Sequence, residues 1–234
     1  MTKLNRAEEA AKLYRNVDFL EEIKYSIPYL NTQELEVAKK NAALLFGCDM
    51  NNIATNLEEL NDKTHDTILY FGDFNTESIE DPTCLESVKY IVGNISSSDS
   101  NAVSHFNNLV GVVGDCSLDM QEVKDGFNDL YILTGTLASK TATKISGFNN
   151  LHQVGSVFFP RLKEVESFGK SLIVERDLNL WDLQDATNFN IQAVLGEANL
   201  PCLEQLGSLD QCIFVGTVWS FGFEKNCHTS KIKK

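Results

Sequence analysis

The sequence has little proline and histidine, and it has no apolar run long enough to cross a membrane. Only 4 of its 234 residues are proline and only 4 are histidine. No stretch reaches the roughly 18 apolar residues of a membrane-spanning helix, so we expect none. The first segment, "MTKLNRAEEAAKLYRN", is charged and helical in pattern, so we also expect no secretory signal peptide.

The cysteines lack the close spacing that marks a metal site or a disulfide framework. None of the six forms a CxxC pair. The sequence therefore predicts no structural zinc and no cofactor, and several cysteines fall in apolar patterns where a free thiol acts as a small buried hydrophobe. A reducing cytoplasm is the simplest location to predict.

Positive charge is also scarce. Lysine and arginine total 20 against 33 acidic residues, which gives a formal net charge of -13 and a pI near 4.7. Such a surface repels phosphate backbones, which argues against direct nucleic-acid binding. It attracts instead a protein with a basic or mixed surface. The basic end "KIKK" is predicted to be a solvated tail.

Familiar catalytic motifs are missing as well. The chain contains no GxSxG, GxxxxGK[ST], HExxH or GxGxxG. Cys116 with His105 or His152 would form a nucleophile and base, but Cys116 lies in an apolar column that favours a buried, inert thiol. Glu175 and Asp177 are the carboxylate pair that a hydrolase would use. The leading hypothesis is that the chain is not an enzyme.

What the sequence does contain is a repeat of 20 or 21 residues. "GFNDLYILTGTL" at 126–137 is echoed by "GFNNLHQVGSV" at 147–157. One column of the repeat is glycine, and Arg176 takes its place in a further copy, which makes eight copies in all. The glycines are Gly72, Gly93, Gly114, Gly135, Gly155, Gly196 and Gly216. A second column is phenylalanine and runs in phase with the first: Phe106, Phe127, Phe148, Phe168 and Phe189, continued by Leu209.

A unit of this length cannot bury its own apolar side, so neighbouring units must stack and share one core. The residues around each glycine alternate with period two, which predicts a strand. One face of these strands should point inward, as in Ile91, Gly93 and Ile95. The glycine is expected where the opposite wall of the coil approaches too closely for a side chain. The rest of each unit, as in Leu162, Val165 and Phe168, predicts a short helical turn or a curved return.

The run "F.NL..V.G.L" followed by "L..V..F" resembles irregular leucine-rich repeats of the BspA-like and receptor L-domain type, over residues 57–224. The resemblance implies an α/β repeat fold, a leucine-rich-repeat-like parallel β solenoid of about eight coils that serves as a recognition surface. The chain lacks a regular asparagine ladder, and glycine replaces a consensus aliphatic residue. A flatter parallel β-helix is therefore the alternative to a curved horseshoe.

Residues 1–56 have a different character and predict a helical cap. Residues 5–26 favour one helix that stops before Pro28. A second helix should begin at Asn31, with Glu34 at capping-box spacing, and end at Gly47. Residues 50–60 predict a third helical turn. These helices are expected to cover the open end of the first coil, or alternatively to bind a partner or a second copy. Residues 225–234 are assigned to a C-terminal tail.

The outward face of the strands is predicted to be the binding surface. The residue after each column glycine is polar in every copy and acidic in four. Two positions further along stand Phe158 and Trp219, and Trp181 shares their face if its strand continues. Exposed aromatics among polar groups are typical of protein-binding hot spots. The predicted partner-binding residues are Asp73, Asp115, Ser156, Phe158, Asp177, Trp181, Glu197 and Trp219. A cover formed by this chain, or a slip of strand register, is the alternative.

The sequence thus predicts a non-enzymatic module that binds another protein through its exposed strand face. One alternative is an acidic inhibitor of a nucleic-acid-binding enzyme, such as a phage or a mobile element would encode, which the net charge alone favours. The other is a solenoid hydrolase built on outward carboxylates.

Overall fold

The structure is a computed structural model that describes residues 3–61, 67–124, 126–205, 207–220 and 232–233. Within these residues the α-helices are α1 (Lys3–Arg15), α2 (Val17–Ser26), α3 (Thr32–Phe46), α4 (Leu57–Asn61) and α5 (Ser100–Ser104). The strands of the first half are β1 (Ile53–Ala54), β2 (Leu69–Phe71), β3 (Phe74–Asn75), β4 (Tyr90–Val92), β5 (Ile95–Ser97), β6 (Gly111–Val113), β7 (Cys116–Leu118), β8 (Glu122–Val123), β9 (Ile132–Ala138) and β10 (Lys144–Ile145). Those of the second half are β11 (Gln153–Phe158), β12 (Glu164–Val165), β13 (Phe168–Val174), β14 (Leu178–Asn179), β15 (Phe189–Val194), β16 (Ala198–Asn199), β17 (Ile213–Phe214), β18 (Val218–Trp219) and β19 (Ile232–Lys233).

The chain folds as α/β, with N-terminal helices and one large parallel sheet. Sixteen of the described strands belong to this sheet, and every pairing in it is parallel. Strands about 20 residues apart in sequence are neighbours, as in Tyr90↔Gly111 and Asn199↔Trp219. The predicted register is confirmed by one unbroken row of paired residues. That row is Phe74, Ile95, Cys116, Leu137, Val157, Leu178, Ala198 and Val218.

The predicted inward column forms the main core. Its side chains, among them Ile91, Val112 and Leu133, are at most 3% exposed. The phenylalanine column faces them from the connecting segments. Its rings lie one above another, with centroids 5.1 Å apart between Phe106 and Phe127 and again between Phe127 and Phe148. The core therefore lies between the inner face of the large sheet and the connecting segments.

The connecting segments are only partly helical. The early ones contain α5 and short 3-10 turns such as Pro82–Ser87. Further along, β8, β10 and β12 form a second, three-stranded parallel sheet. Lys144 of β10 pairs with Glu122 and Glu164 on its two neighbours, and its Nζ lies 2.6 Å from the carboxylate of Glu166. The prediction of a helical turn or a curved return in every copy is therefore only partly right.

The glycine column has a different cause from the one predicted. A Cβ on Gly93 would lie 1.9 Å from the carbonyl oxygen of Gly72, and one on Gly216 would lie 2.0 Å from that of Gly196. The group that excludes a side chain is thus the backbone of the adjacent strand, so the expectation of an opposite wall was wrong. At the copy without glycine, Nη2 of Arg176 donates to the Thr134 carbonyl at 3.3 Å.

The N-terminal helices match the sequence pattern at α3 but not before it. Asn31 Oδ1 accepts from the N–H groups of Gln33 and Glu34, and Glu34 accepts from the N–H of Asn31, as the predicted capping box requires. Gly47 ends α3 in the left-handed conformation, with φ 65°. The single helix predicted over 5–26 is wrong, because the chain breaks at Asn16 into α1 and α2.

Helices α1, α2 and α3 cover a face of the sheet rather than an end, whereas Leu60 of α4 packs into the main core with Ala54 of β1. Leu13, Leu20 and Phe46 pack with apolar side chains on the outer face of β2, β4 and β6. The Phe46 and Tyr90 rings, for example, lie 4.5 Å apart. The expectation of a cap on the first coil is corrected accordingly. Both faces of these strands are apolar, so helices must seal the outer one.

The C-terminal end of the described chain joins the large sheet. Part of the segment predicted to be a solvated tail pairs with the sheet, because Ile232–Lys233 forms β19 beside β18. Residues 225–231 and Lys234 lie outside the described residues. No helix in the described part of the chain is both long and apolar enough to span a membrane.

Candidate protein-binding surface

Seven of the eight residues predicted to bind a partner follow the outer-face pattern of the strands, and Trp181 is the exception. We call two rows of this face the ladder row and the distal row. The ladder row is Asp73, Asn94, Asp115, Thr136, Ser156, Asp177, Glu197 and Thr217. The distal row is Asn75, Ser96, Ser117, Ala138, Phe158, Asn179, Asn199 and Trp219, and its members pair in one continuous register. Asp73, Asp115, Asp177 and Glu197 are exposed, and Ser156 is half-buried.

The ladder row is also a structural device, which the sequence analysis missed. Asp115 Oδ1 accepts a hydrogen bond from the N–H of Thr136 at 2.7 Å, and Asp177 Oδ1 accepts one from the N–H of Glu197 at 2.9 Å. Asp73 does the same for Asn94 at 2.9 Å. Each side chain thereby binds a backbone donor beside the glycine column, where neighbouring backbones crowd. The sequence signal was a polar residue after the column position in every copy, and the hydrogen bonds of Asp73, Asp115 and Asp177 give it a structural cause.

Replacing Asp115 with alanine is expected to lower the free energy of unfolding by about 1 kcal/mol, because Thr136 loses its acceptor. Asp115→Asn keeps an oxygen at the same position and should cost less than half as much. Urea unfolding of the two variants measures the difference. Equal losses in both would show that the charge, rather than the hydrogen bond, is what matters at this position.

The three predicted aromatic residues are exposed to different degrees. Trp219 ends β18 and is 39% exposed, whereas Phe158 is half-buried between Ala138 and Asn179. Trp181 is 51% exposed, but its strand does not continue: β14 ends at Asn179, and Trp181 lies in the following turn. The expectation that it extends the distal row is therefore wrong.

Helix α2 and the turn after it lie beside the first copies of this surface. Lys24 Nζ donates to Asn94 Oδ1 at 2.8 Å and so ties the helix to the ladder row. A cleft of about 580 Å³ separates Tyr25 and the turn Ile27–Tyr29 from Asp73 and Asp115. The alternative prediction, that a segment of this chain covers the outer face, is therefore partly right for the first copies. The ladder residues Ser156, Asp177 and Glu197 lie on later strands, away from this cleft.

Sequence reasoning missed several exposed apolar residues. Tyr25 and Tyr29 are 71% and 86% exposed at the cleft. Four more follow the outer-face pattern of the last strands: Ile173, Leu195, Ile213 and Val215. Their signal was available, because each occupies an outward position in its copy yet is not polar.

The candidate catalytic groups are buried or in contact with other side chains. Burial raises the pKa of the Cys116 thiol far above its ordinary value, which disfavours the thiolate. His105 Nδ1 contacts a Glu86 carboxylate oxygen at 2.9 Å, and the His152 ring lies 4.2 Å from that of Tyr131. Glu175 accepts a hydrogen bond from Gln153 on the adjacent strand. Within the described residues, no group of three His, Cys, Asp or Glu side chains is placed to hold a metal ion.

Comparison with protein-family models, with curated proteins and with solved structures gives no match for this chain.

Proposed function

We propose that this chain is a non-enzymatic protein-binding module whose ligand surface is the exposed outer face of its sheet. The partner is a protein with a basic or mixed surface. We also propose that the sheet is the wall of a parallel β solenoid of about eight coils, similar to irregular leucine-rich repeats, and that it works in a reducing cytoplasm.

The solenoid is supported by the regular pairing of successive copies. Each copy places one strand beside the strand of the copy before it, and each phenylalanine ring lies beside the ring of its neighbour. Stacking of this kind buries a core that no single copy could bury. The cytoplasmic location is supported by Cys48, Cys116 and Cys202, which are free thiols, as expected in a reducing compartment.

The binding role rests on one observation, the exposure of two tryptophans beside carboxylates. Trp181 and Trp219 are 51% and 39% exposed. Asp177 directly precedes β14, and Trp181 lies in the turn after that strand; Glu197 directly precedes β16, which pairs with the strand of Trp219. Exposed tryptophan is costly in water and is enriched at the energetic centres of protein interfaces. Carboxylates around it add attraction to a basic partner and speed its association.

Trp219→Ala is expected to weaken binding by more than about 1 kcal/mol, roughly fivefold or more in Kd. The partner is first captured from the native cell and identified by mass spectrometry, and its affinity is then measured by calorimetry. Tyr14→Ala is the matched control, since Tyr14 is a 49% exposed aromatic on α1. Equal affinity of the Trp219→Ala and Tyr14→Ala proteins would refute this surface.

The acidic component has its own variant. Asp177→Asn removes the charge but keeps the oxygen that accepts from Glu197, so the ladder hydrogen bond survives. We expect slower association and a weaker dependence of affinity on salt. Glu80→Gln removes one exposed charge from the connecting segment after β3 and serves as the control. A salt dependence unchanged by Asp177→Asn would mean that this carboxylate does not face the partner.

A further inference from the structure

The outer face of the sheet is apolar at both of its ends, and among the described residues helices cover only the first. On β2 and β4 the outward residues Leu69, Phe71 and Val92 are fully buried under the N-terminal helices. The sheet register carries the row that starts at Leu69 through Tyr90, Gly111, Ile132, Gln153, Ile173, Ala193 and Ile213. Equivalent positions at the far end therefore lie on the same face.

The far end forms a compact patch, which we call the terminal patch: Ile173, Leu195, Ile213 and Val215. Their exposed fractions are 36%, 45%, 53% and 60%. Ile173 and Ile213 are each paired with Ala193, whose small side chain lies between them. Leu195 and Val215 occupy the next outward positions, just after β15 and just after β17. Strands lie about 4.8 Å apart, so the patch is roughly 10 Å wide, close to the diameter of an α-helix.

The charges beside the terminal patch are mainly negative. Glu175, Asp177 and Glu197 follow or precede its residues on the same strands and turns. Two basic residues are also nearby, Lys170 on β13 and Arg176, and the Arg176 guanidinium donates back to the Thr134 carbonyl. A ligand that covers the patch thus meets carboxylates along one side.

We propose that the terminal patch binds an amphipathic helix of the partner, with an apolar stripe on the sheet and lysine or arginine along its flank. The template is in the molecule itself, because α1, α2 and α3 cover the equivalent outward positions of β2, β4 and β6 with apolar side chains. The basic flank follows from charge complementarity with Glu175, Asp177 and Glu197. This inference rests on the proposed function and specifies the form of its ligand.

The test uses two synthetic peptides of about 18 residues with one composition of leucine and lysine. In the first peptide the leucines recur at helical spacing and form one apolar face of a helix. In the second peptide leucine and lysine alternate, so the charge is the same but a helix would have no continuous apolar face. Binding to the intact protein is measured by fluorescence anisotropy at concentrations where each peptide is monomeric. We expect the helical peptide to bind at least about tenfold more tightly.

The variant Leu195→Ser/Val215→Ser is expected to remove that tenfold preference. Val37→Ser/Leu44→Ser is the matched control, because these α3 side chains are 54% and 76% exposed and lie outside the patch. Circular dichroism and urea unfolding verify that both variants remain folded.

Three results would overturn the inference. Equal binding of the two peptides would show attraction by charge alone, and the proposed function would still stand on the Trp219 and Asp177 variants. A preference that survives Leu195→Ser/Val215→Ser would place the helix elsewhere. Concentration-dependent dimers in sedimentation, abolished by the same double variant, would show that a second copy occupies the patch.

Discussion

Replacement of Gly93 by alanine is expected to destabilise the fold by about 4 kcal/mol or more, near the upper end of single-substitution effects. The new Cβ would lie 1.9 Å from the Gly72 carbonyl oxygen and 2.4 Å from the carbonyl carbon. Both are backbone atoms of the adjacent strand, so no side-chain rotation relieves the overlap. The Gly93 N–H also donates to the Val113 carbonyl at 3.0 Å, so moving away from Gly72 strains the pairing on the other side. Urea unfolding, or loss of soluble protein, measures the effect.

Gly47→Ala separates this steric effect from the general cost of replacing glycine. Gly47 has φ +65°, and an added Cβ would meet no atom within 4 Å. The substitution should therefore cost only the left-handed backbone penalty, about 1–2 kcal/mol. If Gly93→Ala were no more harmful than Gly47→Ala, the copies would not be as close as the structure places them.

The strand register was predictable because buried positions leave a period in the sequence. Glycine and phenylalanine each keep a fixed place in most copies, so each recurs there at 20 or 21 residues. Even the copy with Arg176 keeps its place, since Leu178 pairs with Val157 and Ala198. The periodicity did not explain why glycine is required. A recurring glycine indicates that there is no room for a side chain, but it does not indicate which atoms occupy that room.

The position of the N-terminal helices could not be predicted from their own sequence. Capping signals fix where α3 begins and ends, but they carry no information about what its apolar side touches. The better signal lies in the strands. Leu69–Phe71 and Tyr90–Val92 are apolar on consecutive residues, which indicates burial on both faces. Later strands alternate more clearly, as in the Phe189 to Gln192 part of β15, and the apolar cluster under the N-terminal helices does not include them.

The candidate surface was predictable in its position and less so in its chemistry. Strand alternation placed Asp177 and Trp219 on the outer face. The sequence did not distinguish a carboxylate that is available to a binding partner from one that accepts a hydrogen bond from a backbone N–H. Either role places a polar residue at the same position of each copy. Trp181 could not be placed, since the end of β14 at Asn179 depends on pairing rather than on local pattern. The ladder and the proposed binding surface therefore share residues, and variants such as Asp177→Asn separate the two roles.

Phe127→Ala is expected to cost about 3–5 kcal/mol, because it empties the middle of the aromatic column. Phe127 is fully buried, and its ring lies parallel to two others, at 11° to Phe106 and 12° to Phe148, with centroids 5.1 Å away in both cases. The loss therefore includes a cavity and two ring contacts, each worth about 0.5–1.5 kcal/mol beyond area burial. The free energy of unfolding, from urea titration, is the measurement.

The control for Phe127→Ala removes an aromatic ring from the surface. Tyr29 is 86% exposed, so Tyr29→Ala should change stability by no more than about 0.5 kcal/mol. A second comparison is Phe127→Leu, which keeps an apolar side chain in the cavity and should cost less than half as much as alanine. Since the Phe127 ring stacks between those of Phe106 and Phe148, it links the copy before it to the copy after it. If Phe127→Ala lowered the free energy of unfolding by no more than Tyr29→Ala, the rings would not stack as described. The conclusion that successive copies share one core would then be wrong.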